Sequence, residues 1–85
     1  MNTFEDIKDI LIKIGIDSEL ITEENKYLPL TGNKFNMSSV QLAYLLLEIE
    51  KKYDLKINES DLINEGFNTI DNIIEIVRRE VTKKN

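Results

Sequence analysis

Ser38-Ser39-Val40-Gln41-Leu42-Ala43-Tyr44-Leu45-Leu46-Leu47-Glu48-Ile49-Glu50-Lys51-Lys52-Tyr53 runs without Gly or Pro and is rich in strong helix formers. Ser38 followed three positions on by Gln41 has the form of a capping box: the Ser oxygen accepts an orphan backbone N–H, and the Gln side chain reaches back to the cap. The pattern predicts a helix over about 39–53. Leu42, Leu45, Leu46, Ile49 and Tyr53 repeat at helical spacing and form one apolar face, while Val40, Ala43, Tyr44 and Leu47 form a second strip beside it. A core takes the first face. The second strip is either the edge of that core or a surface kept for a partner, and Tyr44 favours the partner because a tyrosine can bury its ring and keep its hydroxyl wet.

Upstream, Phe4, Ile7, Ile10, Leu11 and Ile14 share one helical stripe, which predicts a helix over about 4–15 with Thr3 as N-cap, Asp6 at the box position and Gly15 as the stop. Residues 17–36 hold the only Pro and two apolar clusters, Leu20-Ile21 and Tyr27-Leu28-Pro29-Leu30. They read as a long ordered loop, packed down by those clusters, with Leu28 extended before Pro29 and a turn at Gly32-Asn33. Downstream, 60–64 can form a short helix ended by Gly66. Thr69 or Asn68 caps a last helix over about 70–82, on which Ile70, Ile73, Ile74, Val77 and Val81 repeat, before a frayed tail. No segment alternates as a strand does. The expected architecture is all-α: one domain over 1–85, a small bundle of three long helices and one short one, with a long first connection crossing an end.

Composition limits the function. Eleven Lys and Arg stand against sixteen Asp and Glu, a net charge of −5, with no His, no Cys and no Trp. Thiolate and imidazole chemistry, disulfides and zinc sites built on those ligands are excluded, so the chain is not expected to be an enzyme. The acid excess disfavours nucleic acid, which calls for clustered basic residues. The longest run free of charge and strong polarity, Leu42 to Leu47, is far too short for a membrane span, and Glu5 and Asp6 follow the start where a signal peptide would be basic. A cytoplasmic monomer is expected. Metal sites fail as well: residues 54–65 have the length of a calcium loop, but Lys56 occupies a ligand position and Glu59 the place of the obligatory Gly. Gly32-Asn33-Lys34 lacks the rest of a phosphate loop.

From Phe4 to Val81 the chain resembles an acyl carrier protein, or more broadly a phosphopantetheine-carrier domain. In that family the second helix opens on Asp-Ser-Leu and runs through apolar and acidic residues to an aromatic residue and then an Ile. Here Ser38-Ser39-Val40 leads through Leu45, Leu46, Ile49 and Glu50 to Tyr53 and Ile57, and Phe67-Asn68-Thr69-Ile70 is similar to the family's aromatic-x-Thr-Ile start of the last helix. The resemblance implies the acyl-carrier-like four-helix bundle and a 4'-phosphopantetheine arm on Ser39, installed from coenzyme A by a separate phosphopantetheinyl transferase. The arm's thiol would carry an acyl, aminoacyl or peptidyl group to partner enzymes, which Val40, Ala43, Tyr44 and Leu47 would meet.

The chain departs from the pattern at Ser38, where the family has Asp, and along its second helix, where residues 38–53 sum to zero charge. Residues 54–76 hold six acids, Asp54, Glu59, Asp61, Glu65, Asp71 and Glu75, against Lys56 alone. The acidic surface is therefore expected near the third helix. Leu30-Thr31-Gly32 and Tyr44 look closer to divergent carrier-related proteins encoded beside peptide- or natural-product-maturation enzymes, which implies a specialised partner. The alternative is a carrier-like chain that is no longer modified and acts as an interaction scaffold.

Overall fold

The structure, a computed structural model, describes residues 2–63 and 67–84. Those residues form helices and turns, with no strand among them. The order is α1 (Thr3–Ile14), two 3-10 turns (Ser18–Leu20 and Asn25–Tyr27), α2 (Ser39–Tyr53), α3 (Glu59–Ile63) and α4 (Ile70–Lys84). The Gly66 stop expected for α3 lies outside the described residues.

The helix ends follow local chemistry. Gly15, at φ 116°, takes the left-handed conformation that closes α1, and the Ile16 N–H donates back to the Leu11 carbonyl at 3.0 Å. At the other end the cap is Asn2, whose side chain accepts the Glu5 N–H at 3.1 Å. The sequence expectation of Thr3 is corrected here by one residue. Thr3 is already inside α1 and fully buried, and its hydroxyl has no hydrogen-bond partner among the described residues. Helix α2 starts and stops where the capping box and Tyr53 place it. Ser38 Oγ accepts the Gln41 N–H at 3.2 Å, and the Ser38 N–H donates to Gln41 Oε1 at 2.9 Å. On α4, Thr69 Oγ1 accepts the Asn72 N–H at 3.1 Å.

Helix α4 runs to Lys84, three residues beyond the last position of its apolar repeat, Val81, and holds the end expected to fray. Lys84 Nζ donates to the carbonyls of Tyr53, at 3.3 Å, and Asp54, which are orphan acceptors at the end of α2. A cation there also meets the negative end of the α2 dipole.

Helix α1 packs against both α2 and α4, and α4 also packs on the second 3-10 turn. Ile7, Ile10 and Leu11 of α1, Leu45 and Ile49 of α2, and Ile70, Ile73, Ile74, Ile76 and Val77 of α4 share one core with Ile57 and Phe67. The long connection belongs to that core. Ile16, Ile21, Leu30, Phe35 and Met37 are buried, and Leu20 packs against them. The Leu30 N–H donates to the Asn68 carbonyl at 2.7 Å, and the Met37 N–H to the Leu30 carbonyl at 2.9 Å, so the loop is fastened to the approach of α4 and to itself. Leu28 is extended before Pro29, at φ −84° and ψ 145°. Gly32 closes the next turn at Pro29, where an added Cβ would come within 3.1 Å of the Pro29 carbonyl oxygen. Tyr27 and Leu28 depart from the expectation: both are exposed, and Lys26 Nζ lies 5.2 Å from the Tyr27 ring centre.

Candidate functional site

Ser39 is the first residue of α2 and is exposed. Its position follows from its neighbour: because Ser38 takes the N-cap with its side chain, residue 39 falls on the opening turn and its own hydroxyl is not needed for capping. Four backbone N–H groups at a helix start lack partners within the helix. The capping box satisfies those of Ser38 and Gln41, which leaves the N–H groups of Ser39 and Val40 as open donors at the positive end of the helix dipole. Negative charge attached at position 39 is favoured by that arrangement.

Beside Ser39 runs a groove of about 280 Å³, lined by Ser39, Leu42, Ala43, Leu46, Leu62 and Phe67. Its walls are almost wholly apolar. The far side comes from α3 and from the residue that opens the approach to α4, so three elements build it. Leu62 and Phe67 were not among the site residues expected from sequence, although Phe67 opens the aromatic-x-Thr-Ile motif and stands four residues short of Asp71 in the α4 cap region.

The two apolar strips of α2 separate cleanly. Leu45 and Ile49 are fully buried, and Leu42, Leu46 and Tyr53 are partly buried against the core. Val40, Tyr44 and Leu47 are 63%, 58% and 59% exposed, and Ala43 is exposed with them. Ser39, Val40, Ala43, Tyr44 and Leu47 thus occupy one outward face, which the buried strip cannot reach. On one flank a second groove, of about 370 Å³, lies between the end of α1 and α2 and is lined by Lys13, Ile14, Val40, Gln41, Tyr44 and Glu48.

Most carboxylates near the site are already engaged. Lys13 Nζ meets Glu48 at 3.2 Å, Lys52 lies 3.9 Å from Asp6, and Glu50 accepts the Ile57 N–H at 2.9 Å. Among the acids expected to form a new negative surface, Asp54 pairs with Lys84, Asp61 with Arg79 and Asp71 with Lys26. Arg79 and Lys83 also hold Glu80, and the hydrogen bond from Arg79 is the main cause that keeps the Glu80 carboxyl below its ordinary range. Three of the six acids expected to form a surface around α3 are therefore paired within the chain, while Glu59 and Glu75 make no ion pair among the described residues. Tyr53 donates a 2.6 Å hydrogen bond to Asp6, tying the end of α2 to the start of α1, and burial together with that bond pushes its phenol above the usual 10.

Among the described residues, no cluster of acidic side chains could hold a metal ion, and no helix is long and apolar enough to cross a membrane. No family model matches the sequence, and no solved structure matches it. Two curated proteins do. The acyl carrier protein of Chlamydia felis is 25% identical over 79 residues, covering 92% of this chain and 94% of that one. The acyl carrier protein of Chlamydia caviae is 24% identical over 79 residues, covering 92% and 95%. This similarity along nearly the whole of both partners, with the order of four helices among the described residues, supports a divergent likeness to acyl carrier proteins.

Proposed function

We propose that the chain is a carrier in which Ser39 bears 4'-phosphopantetheine and α2 presents the loaded arm to enzymes of a biosynthetic pathway. The observation that carries this reading is the exposed Ser at the first position of α2, with its capping duty taken by Ser38 and two backbone donors open beside it. These features suit a phosphodiester at position 39. When bound, the arm would supply a terminal thiol for an acyl, aminoacyl or peptidyl thioester. The chain's own residues would position the phosphate and shelter apolar cargo along Leu42, Leu46, Leu62 and Phe67. Without His or Cys the chain has no ready base to activate the Ser39 hydroxyl, so a phosphopantetheinyl transferase must do so. Val40, Ala43, Tyr44 and Leu47 form the face on which that enzyme and later partners dock.

A second reading is favoured by one residue. Ser38 stands where carriers of this kind have Asp, and a chain that is no longer modified could keep the same outward α2 face as an interaction scaffold. Incubation with coenzyme A and a broad-specificity phosphopantetheinyl transferase, followed by intact mass, separates the two. The carrier reading expects addition of one arm, abolished by Ser39→Ala and retained by Ser38→Ala. No addition across several transferases, one of them from the source organism, would leave the scaffold.

A further inference from the structure

The groove beside Ser39 continues past its apolar walls. A second hollow, of about 270 Å³, shares Leu42, Leu62 and Phe67 with it and adds Thr31 and Asn68. The two are lobes of one channel that leads from the start of α2 to the approach of α4. Its near lobe is almost wholly apolar, whereas the far lobe ends on a hydroxyl and a side-chain amide. Among the described residues that line the far lobe, none is charged.

The fold holds this polar end in place yet gives it no structural duty. Asn68 and Thr69 both suit a cap for α4, and Thr69 takes the role. The Asn68 backbone carbonyl accepts the Leu30 N–H at 2.7 Å, which fixes the neighbouring Thr31 against Asn68 across 37 residues of sequence. On its other side Asn68 follows Phe67, which is buried in the core. The Thr31 hydroxyl donates to Asn68 Oδ1 over a long 3.4 Å, and the two N–H donors of Asn68 Nδ2 meet no acceptor among the described residues. An aliphatic chain end lying there would strip water from those donors and return nothing, whereas a carbonyl oxygen would replace the lost water. With no cation in the lobe, a neutral acceptor suits it better than a carboxylate, whose charge would go unpaired.

We infer that the group carried by this chain is an acyl chain with a short apolar body and a neutral carbonyl oxygen toward its far end. Leu42, Leu62 and Phe67 cover the body, and the Asn68 side-chain amide receives the oxygen and so determines specificity. This inference rests on Ser39 bearing the arm, and it deepens that reading by naming the class of cargo.

The test uses isotopically labelled full-length Ser39→Cys, which holds the one thiol of an otherwise cysteine-free chain. That thiol is alkylated by the bromoacetamide of a pantetheine-length tether ending in a levulinoyl amide, or in the isocaproyl amide, which has a branched methyl in place of the ketone oxygen. NMR shifts of the Leu62 methyls and the Asn68 side-chain amide give the ratio of docked to free tether. The levulinoyl tether should dock about 3- to 10-fold more, the ratio that one net hydrogen bond supports. The Asn68 side-chain amide should shift with levulinoyl and not with isocaproyl. Asn68→Asp, which keeps the size and removes both donors, should abolish the preference while the melting temperature shows the chain folded.

Equal or stronger docking of the isocaproyl tether overturns the inference, as do docking without a shift at Asn68, a preference that survives Asn68→Asp, or no docking by either tether. The thioether bypasses the transferase, so these failures leave the carrier reading standing. Absence of arm addition at Ser39 in the mass experiment would instead remove the carrier chemistry and the cargo with it, whatever the tethers do.

Discussion

Leu45 and Leu47 are two residues apart on the same helix, yet truncating them to Ala should have very different consequences. Leu45 is fully buried and Leu47 is 59% exposed. Removing three buried carbons at position 45 loses their transfer energy and leaves a cavity, a cost of about 3 kcal/mol within the usual span of roughly 2–5. For a chain of this length the entropy of unfolding is about 0.18 kcal/mol per kelvin, so that loss lowers Tm by about 17 °C. At position 47 less than half of the side chain is covered, which limits the lost burial to about 1 kcal/mol. The better helix propensity of Ala returns a few tenths. Leu47→Ala should therefore move Tm by no more than about 5 °C. Urea and thermal unfolding followed by circular dichroism measure both, with an unchanged m-value showing that the denatured state is the same. If Leu47→Ala costs more than half of what Leu45→Ala costs, the outward strip is core, and the docking face inferred from it disappears.

Tyr53→Phe should cost about 1–2 kcal/mol, since the bond to a carboxylate is charge-assisted while the Asp6 side chain keeps some solvent. The loss should be strongly non-additive with Asp6→Asn in a double-mutant cycle. A phenol pushed above 10 in the folded state holds its proton where the unfolded chain releases it, so its contribution is complete below pH 10 and declines as pH rises through the folded value. Alkaline melts should thus fall more steeply for the wild type than for Tyr53→Phe, and parallel curves would refute the assignment. Ser38→Ala should lose about 1 kcal/mol with the capping box. Ser38→Asp should keep the cap, hold or raise Tm, and speed arm addition at Ser39 in the transferase assay.

Features fixed by neighbours in the chain were legible in the sequence. The boundaries of α2 followed from Ser38, Gln41 and an uninterrupted run of helix formers, and the Gly15 and Thr69 ends were equally local. The cap of α1 was missed by one residue, although Asn2 with Glu5 three positions on carries a capping signal of its own; Thr3 looked the better cap until its burial showed it on the core side of the helix. Tertiary contacts set what remained. Phe35 and Met37 have no periodicity around them, yet the loop's bonds to Asn68 and to itself turn them inward. Lys83 and Lys84 extend no apolar stripe; Lys83 pairs with Glu80, and Lys84 reaches the exposed carbonyls at the end of α2, a contact no local pattern announces. Sequence assigned the Leu42, Leu45, Leu46, Ile49 and Tyr53 face of α2 to the core but left open whether the second strip was the edge of that core; packing on the Leu45 and Ile49 side leaves Val40, Tyr44 and Leu47 exposed. The same distance in sequence hid the ion pairs that quiet Asp54, Asp61 and Asp71.

Because the α1–α2 connection is stitched into the interior at Ile16, Ile21, Leu30, Phe35 and Met37, a foreign group has no room at those positions. Exposed turns such as Glu23-Glu24 and Asn33-Lys34 do offer room. A fluorophore or affinity handle introduced at one of them, on a chain free of native cysteines, could report complex formation while leaving Ser39 and the outward face of α2 unencumbered. The same handle at Leu30 or Phe35 would be expected to unravel the loop.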